Sequence, residues 1–244
     1  MKEKYNWKSI VAGLIVLLIG ICFILLDLFV TKTDTNLWIS IGCSLIASAL
    51  VIILTDVFVE KVKENPLEAW GIEQIYHSRS RMNDDCSISM NNAKYTVDVI
   101  AFGLKSFRTQ QEKLTKRLLQ QGVNFRIITM NPDSAFVNQR EAEEKEQPGQ
   151  IQNTIQQLIT WADKLNKQSK KGKIVVKGYS CMTLDFYWRV DDDLYFGPYW
   201  YGYPSQQTVS YKYGKGKGFV LYTEYFDKLW NDNELLTTLT EKRQ

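Results

Sequence analysis

The chain has 244 residues, with 30 Lys and Arg against 27 Asp and Glu, one histidine and four cysteines. Charge this close to balance, with no long single-sign block, excludes attachment to a nucleic-acid backbone by bulk electrostatics alone. Cysteines scattered at Cys22, Cys43, Cys86 and Cys181, without CxxC spacing, exclude a zinc ribbon and a disulfide framework, so neither a metal nor a cofactor is expected.

The first elements in chain order are two apolar runs, Ile10 to Val30 and Leu37 to Val59, joined by the polar stretch Thr31-Lys32-Thr33-Asp34-Thr35-Asn36. Each is about as long as the ~20 residues a helix needs to cross a bilayer, which predicts a transmembrane hairpin over residues 1–60. Lys2, Lys4 and Lys8 precede the first run and Lys61 and Lys63 follow the second, so the positive-inside rule puts both ends of the hairpin in the cytoplasm. The expected location is a bacterial inner membrane, and Trp7 and Trp38 fall where an aromatic belt lies. Asp27 and Asp56, near the ends of the runs, are membrane residues that snorkel to the interface or else line a pore or pair helices. Gly13 and Gly20, with the Ser44/Ser48 pair, offer small faces that favour homo-oligomers or close the hairpin on itself.

The remaining ~185 residues are enough for a domain with its own core. Pro66 breaks the exit from the membrane, and Leu67 to Arg79, carrying Trp70, Ile72, Ile75 and Tyr76 at helical spacing, predicts a helix within a juxtamembrane linker over residues 61–94. His77, Arg79 and Arg81 at its end answer an anionic leaflet better than they make a phosphate site. A cytoplasmic domain over residues 95–244 then opens with a strand at Tyr95 to Phe102. A helix from Phe107 to Gln121, capped by Gly122, and a strand at Val123 to Met130 complete a parallel βαβ unit with a right-handed crossover. Asn131 to Ser134 is a turn, Glu141, Glu143, Glu144 and Glu146 read as a solvated helix face, and Ile151 to Leu165 recur at helical spacing. Strands follow at Ile174 to Val176, Leu184 to Val190, Asp193 to Phe196 and Thr208 to Tyr213. The Gly-Lys-Gly-Lys-Gly tip at Gly214 to Gly218 reads as a hairpin loop, and a last helix surrounds Tyr222 to Trp230. The fold class is α/β with a mixed sheet behind a helical hairpin. The aromatics of Tyr187 to Tyr225 read first as core and strand packing, with base stacking or bilayer contact as the other uses of such rings.

The strand–helix–strand around Phe102-Gly103-Leu104-Lys105-Ser106-Phe107-Arg108, the segment QQGVNFRIITMNPDS, and LDFYWRVDDDLYFGP together resemble one lobe of the phospholipase D superfamily, over about Tyr95 to Tyr213. That family carries His-x-Lys-x4-Asp and works through a histidine nucleophile, with a second histidine as acid. With Asp191 as the motif aspartate, Phe186 stands at the lysine and Leu184 at the histidine. With Asp192, Tyr187 and Asp185 stand there. His77 cannot rebuild the motif, so the resemblance implies a lobe that keeps the scaffold without the reaction and no catalytic residue.

In open α/β sheets ligands sit beyond the carboxyl ends of the strands, which nominates Ser106, Arg108, Asn131, Asp133 and Ser134. Arg189, Asp191, Asp192, Gln206 and Gln207 are expected to converge on the same region. Guanidinium forks suit phosphate and amides suit base edges, so a nucleotide or nucleic acid is the expected ligand, with a partner protein of the same operon as another trigger. Arg189 has a plainer use, an ion pair with Asp191 or Asp185. A two-helix anchor before such a domain is similar in layout to the membrane effectors of bacterial antiphage systems, of the retron or cyclic-oligonucleotide type. That layout implies a non-catalytic, abortive-infection effector whose hairpins breach the bilayer. The alternative is a membrane-tethered phosphodiesterase or nuclease using Asp185, Asp191 and Asp192 with a metal.

Overall fold

The computed structural model describes residues 7–31, 37–55, 66–182 and 184–241. Asp56, Lys2, Lys4, Lys61, Lys63 and most of the 31–36 connection lie outside the described residues. The chain divides into two compact units, residues 1–65 and 66–244.

In the first unit α1 (Trp7–Leu26) runs into a short π-helical turn (Asp27–Thr31), and α2 is Leu37–Leu54. Both helices are long and apolar enough to cross a membrane. They pack on each other at their glycines. A Cβ on Gly20 would stand 2.9 Å from the Gly42 carbonyl oxygen, and one on Gly42 2.7 Å from that of Gly20, so only bare backbone permits this approach. Gly13 faces Ile53, and Phe23 stacks on Trp38 with ring centroids 5.4 Å apart. The glycine face is thus spent inside the hairpin. The Ser44 and Ser48 hydroxyls donate back to the carbonyls of Ser40 and Ser44 at 3.0 and 2.9 Å. Asp27 is buried, 4% exposed.

The second unit is built on one mixed sheet of eight strands. In chain order they are β1 (Ile72–Tyr76), β2 (Thr96–Ile100), β3 (Asn124–Met130), β4 (Ile174–Tyr179), β5 (Phe186–Val190), β6 (Asp193–Gly197), β7 (Ser210–Tyr213) and β8 (Thr237–Thr238). Their spatial order is β1-β7-β6-β5-β2-β3-β4-β8. Strands β2, β3 and β4 are parallel, as the β-branched runs and the intervening helical periods require, and β5 turns antiparallel onto β2 with Val97 opposite Val190 and Ile100 opposite Tyr187. The crossovers are α5 (Lys105–Gln110) with α6 (Glu112–Gln121), and α7 (Ala135–Glu144) with α8 (Gln150–Gln168). Gly122 ends α6 in the left-handed region at φ 102°.

The pleat sends alternate residues to two buried clusters. Val97, Val99, Phe125, Ile127 and Trp188 pack with Met82 and Met90 of α4 (Arg79–Asn91), Leu118 of α6 and Leu158 of α8. Ile100, Ile128 and Tyr187 pack on the other side with Phe226 of α9 (Lys217–Asn231).

Two sequence expectations fail here. The helix from Leu67 stops at Trp70, as α3 (Pro66–Trp70). Gly71 turns at φ 76°, and Ile72–Tyr76 forms β1, hydrogen-bonded antiparallel to β7. The part of the supposed linker from Pro66 onward therefore belongs to the second unit, and His77 lies exposed in the turn between β1 and α4. Gly214 to Gly218 is no hairpin loop but the junction from β7 into α9, where Gly216 lies against Gly71 closely enough that a Cβ would meet its nitrogen at 2.5 Å.

Candidate functional site

The carboxyl edge of β2 opens into a cavity of about 380 Å³, within the ~300–1,000 Å³ range of small-molecule pockets. The segment Ala101–Phe107 forms one wall. Gly103 presses on α8 so tightly that a Cβ would meet Thr154 at 2.4 Å, and Leu104 takes the left-handed region at φ 50°, a conformation that costs a residue with a Cβ about 1–2 kcal/mol. Helix α4 supplies Arg79, Asn83, Cys86 and Met90, β5 supplies Phe186 and Trp188, and the loop after β6 brings Tyr199, Ser205 and Gln206. Burial pushes the Cys86 thiol well above its ordinary value, so it is a protonated, apolar part of the wall.

Arg79 organises this end. It is 4% exposed, with its guanidinium carbon 4.0 Å from the Phe186 ring centroid and 4.6 Å from that of Tyr199. Nη2 donates to Thr208 Oγ1 at 3.0 Å and to the Pro198 carbonyl at 3.4 Å. Burial lowers its pKa, against the pull of Tyr199 and Glu144. Beside it Arg140, 2% exposed, is held by Glu144 and by Glu143 at 3.0 Å and donates to the Trp200 carbonyl at 3.3 Å. Ser205 Oγ donates to Glu144 at 2.6 Å. Two donors of the lining are left over. Arg79 Nε and Trp188 Nε1 are buried and, among the described residues, make no hydrogen bond.

The nominated residues do not converge. Ser106 and Gln206 line the cavity; Arg108, Asn131, Asp133, Ser134 and Gln207 do not. Arg108 is spent inside the fold, its Nε on the Gly103 carbonyl at 2.8 Å and its Nη2 on Gln157 Oε1 at 3.1 Å, so the fork expected to take phosphate instead ties α5 to α8. Asn131 donates to Ser180 Oγ at 2.7 Å, Asp133 accepts from Gln152 at 3.3 Å, and Ser134 caps α7 by accepting from the Phe136 amide. Arg189 pairs with Asp98 at 2.7 Å, not with Asp191 or Asp185. Asp191 and Asp192 follow β5, at the amino end of β2 and away from the cavity. Asp191 accepts from the amides of Lys94, Tyr95 and Thr96 at 2.7, 3.0 and 2.9 Å, and Asp192 reaches Lys215 at 3.3 Å on the surface.

Asp185 precedes β5 and Asp191 follows it, about 20 Å apart at ~3.3 Å per residue, so the three carboxylates of the metal-dependent alternative cannot share an ion. Among the described residues no cluster of three or more His, Cys, Asp or Glu is placed to hold a metal. The glutamate run also divides: Glu141 is buried and accepts from the amides of Gly149, Ile151 and Gln152, while Glu144 lines the cavity. Sequence reasoning missed Arg79, Cys86, Trp188 and Tyr199 as cavity residues, because what assembles them is pairing between α4 and a loop more than a hundred residues later. Phe186, noted for occupying the superfamily's lysine position, is an apolar wall, while Leu184, at the histidine position, packs against the second cluster.

No family model and no curated protein matches the chain. Among solved structures it is similar to TrmBL2, an archaeal chromatin protein described with a novel mode of DNA binding, at TM-score 0.42 and 12% identity over 84% of this chain and 67% of that one. It is similar to NucT from Helicobacter pylori at TM-score 0.43 and 11% identity, over 68% and 97%. It is also similar to the phosphatidylserine synthase of Haemophilus influenzae Rd KW20, at TM-score 0.44 and 10% identity, over 76% of this chain and 44% of that one.

Proposed function

We propose that this chain is a membrane-anchored effector that binds rather than cuts. The domain over residues 66–244 holds a trigger in the cavity beside β2, and the α1–α2 hairpins assemble in a bacterial inner membrane and breach it. The observation that carries this reading is the cavity wall itself. Where the superfamily that the sequence resembles needs a lysine, Phe186 packs under the Arg79 guanidinium, and no histidine lines the cavity. Such a site has the volume to retain a ligand, and the histidine through which that superfamily attacks a phosphodiester is not among its lining. The layout of two helices able to span a membrane before an α/β domain is similar to that of antiphage effectors, in which the trigger is a nucleotide, a nucleic acid or a partner protein and the outcome is abortive infection.

The test is expression in bacteria loaded with a potential-sensitive dye, comparing the full chain with a variant lacking residues 1–59. Depolarisation and growth arrest are expected from the full chain under triggering or overexpression and should disappear with the hairpin. Toxicity that survives the deletion would overturn the reading.

A further inference from the structure

We infer that the amino edge of the eight-stranded sheet is a docking face for the anionic surface of a bilayer, which leaves the cavity at the opposite edge turned to the solution. The inference rests on the reading that the chain is membrane-anchored, and it names the surface of the second unit that meets lipid. Strand register brings the carrying residues together. Ile72 and Leu194 both lie opposite Tyr213, Val190 lies opposite Asp193 and Val97, and Phe125 lies opposite Val97 and Ile174. The starts of β1, β2, β3 and β4 and the end of β7 therefore share one edge. Along it stand six exposed lysines: Lys94 before β2, Lys170, Lys171 and Lys173 before β4, and Lys215 and Lys217 in the Gly-Lys-Gly-Lys-Gly junction after β7.

Charge and chain entry both single out this edge. Of its carboxylates, Asp191 accepts from three amides, Asp192 meets Lys215 at 3.3 Å, Glu241 meets a further lysine, Lys167, at 3.2 Å, and Glu68 stands exposed on α3. The opposite edge mixes its signs, with Asp133, Asp185 and Glu146 set against Lys105, Lys145 and Arg81. The chain also enters the second unit at the lysine edge, through α3 directly before β1. Residues 55–65 join the end of α2 to Pro66, a span of at most about 40 Å when fully extended, and a segment that short keeps this edge close to any bilayer that α2 crosses. The residue types at the entry suit a headgroup layer. Leu67 and Trp70 of α3 are 51% and 41% exposed and Tyr95, next to Lys94, is 74% exposed, and Trp and Tyr rings collect at membrane interfaces. Each lysine close to an anionic surface strengthens the attraction about fivefold. The opposite edge, about 16 Å away along the five residues of β2, lies beyond the Debye length of about 10 Å.

The experiment is amine footprinting of the full chain in nanodiscs, one set made of phosphatidylcholine alone and one of phosphatidylcholine with phosphatidylglycerol, using an acetylating reagent and mass spectrometry of each lysine. The six edge lysines should acetylate at least about fivefold more slowly in the anionic discs, Lys105 and Lys145 should react alike in both, and about 0.5 M NaCl should erase the difference. Replacing Lys170, Lys171 and Lys173 together by Gln changes exposed side chains only. It should weaken docking about a hundredfold, at fivefold for each charge, and return Lys94, Lys215 and Lys217 to the rate seen in neutral discs. The inference is overturned if the six react alike in both discs, if Lys105 and Lys145 are protected as strongly, or if the triple variant is protected like the parent. It is also overturned if duplex DNA added to neutral discs protects the same six lysines as well as the anionic lipid does, since the face would then answer a nucleic-acid backbone. Should the footprint fail while depolarisation still depends on the hairpin, the docking face falls and the effector reading stands.

Discussion

Asp191 sits at φ 50° with its carboxylate spread over three successive amides, those of Lys94, Tyr95 and Thr96, while its own amide donates to the Thr96 carbonyl. A charged acceptor bonded to backbone N–H groups is worth more than a neutral one, and Asp tolerates the left-handed region better than most residues. The carboxylate thus fixes the β5–β6 turn to the start of β2 from the end of the sheet opposite the cavity. Asp191→Ala is expected to lower unfolding free energy by about 3 kcal/mol, with Asp191→Asn costing less because one oxygen still accepts. Urea denaturation of the full chain, followed by tryptophan fluorescence, measures both. An Asp191→Ala chain as stable as the parent would contradict the structural role.

Among the elements, α9 is fastened by a charged chain that crosses the sheet. Asp98, fully buried in β2, accepts Arg126 Nε and Nη2 at 2.6 and 2.7 Å and Arg189 Nη2 at 2.7 Å. Arg126 Nη1 reaches Asp227 of α9 at 2.8 Å, and its guanidinium lies over the Phe226 and Trp230 rings. Burial would lower the Arg126 pKa, but the Asp98 and Asp227 carboxylates outweigh it and hold it above the ordinary value. Asp98→Asn leaves two guanidinium groups facing a neutral amide in a closed core and is expected to cost about 3–5 kcal/mol, the usual result of removing one partner from a buried pair. Asp227→Asn, half exposed, should cost under about 1 kcal/mol. Thermal melts of the two variants check the ranking.

How far such elements can be read in advance depends on the range of their contacts. Strands β2 and β3 and the Gly122 cap were legible because β-branched runs and a left-handed terminator are local signals. β1 was not, because Trp70, Ile72, Ile75 and Tyr76 fall at helical spacing and an exposed edge strand has no alternation to contradict it. Arg108 and Arg189 looked like free forks since their acceptors, Gln157 and Asp98, stand 49 and 91 positions away.

At the scale of the whole molecule, the hairpin depends on the Gly20–Gly42 crossing, where each backbone fills the space a side chain would need. Gly20→Leu should force α1 and α2 apart and cost about 1–3 kcal/mol, the ordinary range for overpacking. Unfolding of the full chain in an SDS titration, read by circular dichroism, is the measurement. A variant as resistant as the parent would show that the crossing is not limiting.

The pairing of β1 with β7 also sets an order of events during synthesis. Ile72–Tyr76 leaves the ribosome soon after α2, yet its hydrogen-bonding partner, Ser210–Tyr213, is encoded roughly 130 residues later. At about 5–20 residues per second, that edge strand waits on the order of ten seconds for its partner. During that interval its unpaired amides and carbonyls can template a neighbouring chain. The exposed Glu73 and Gln74 on the waiting strand, and the Gly71 kink before it, make such a mispairing unattractive. Slowing translation between β1 and β7 should therefore raise the fraction of chains that aggregate more than slowing it after Tyr213 does.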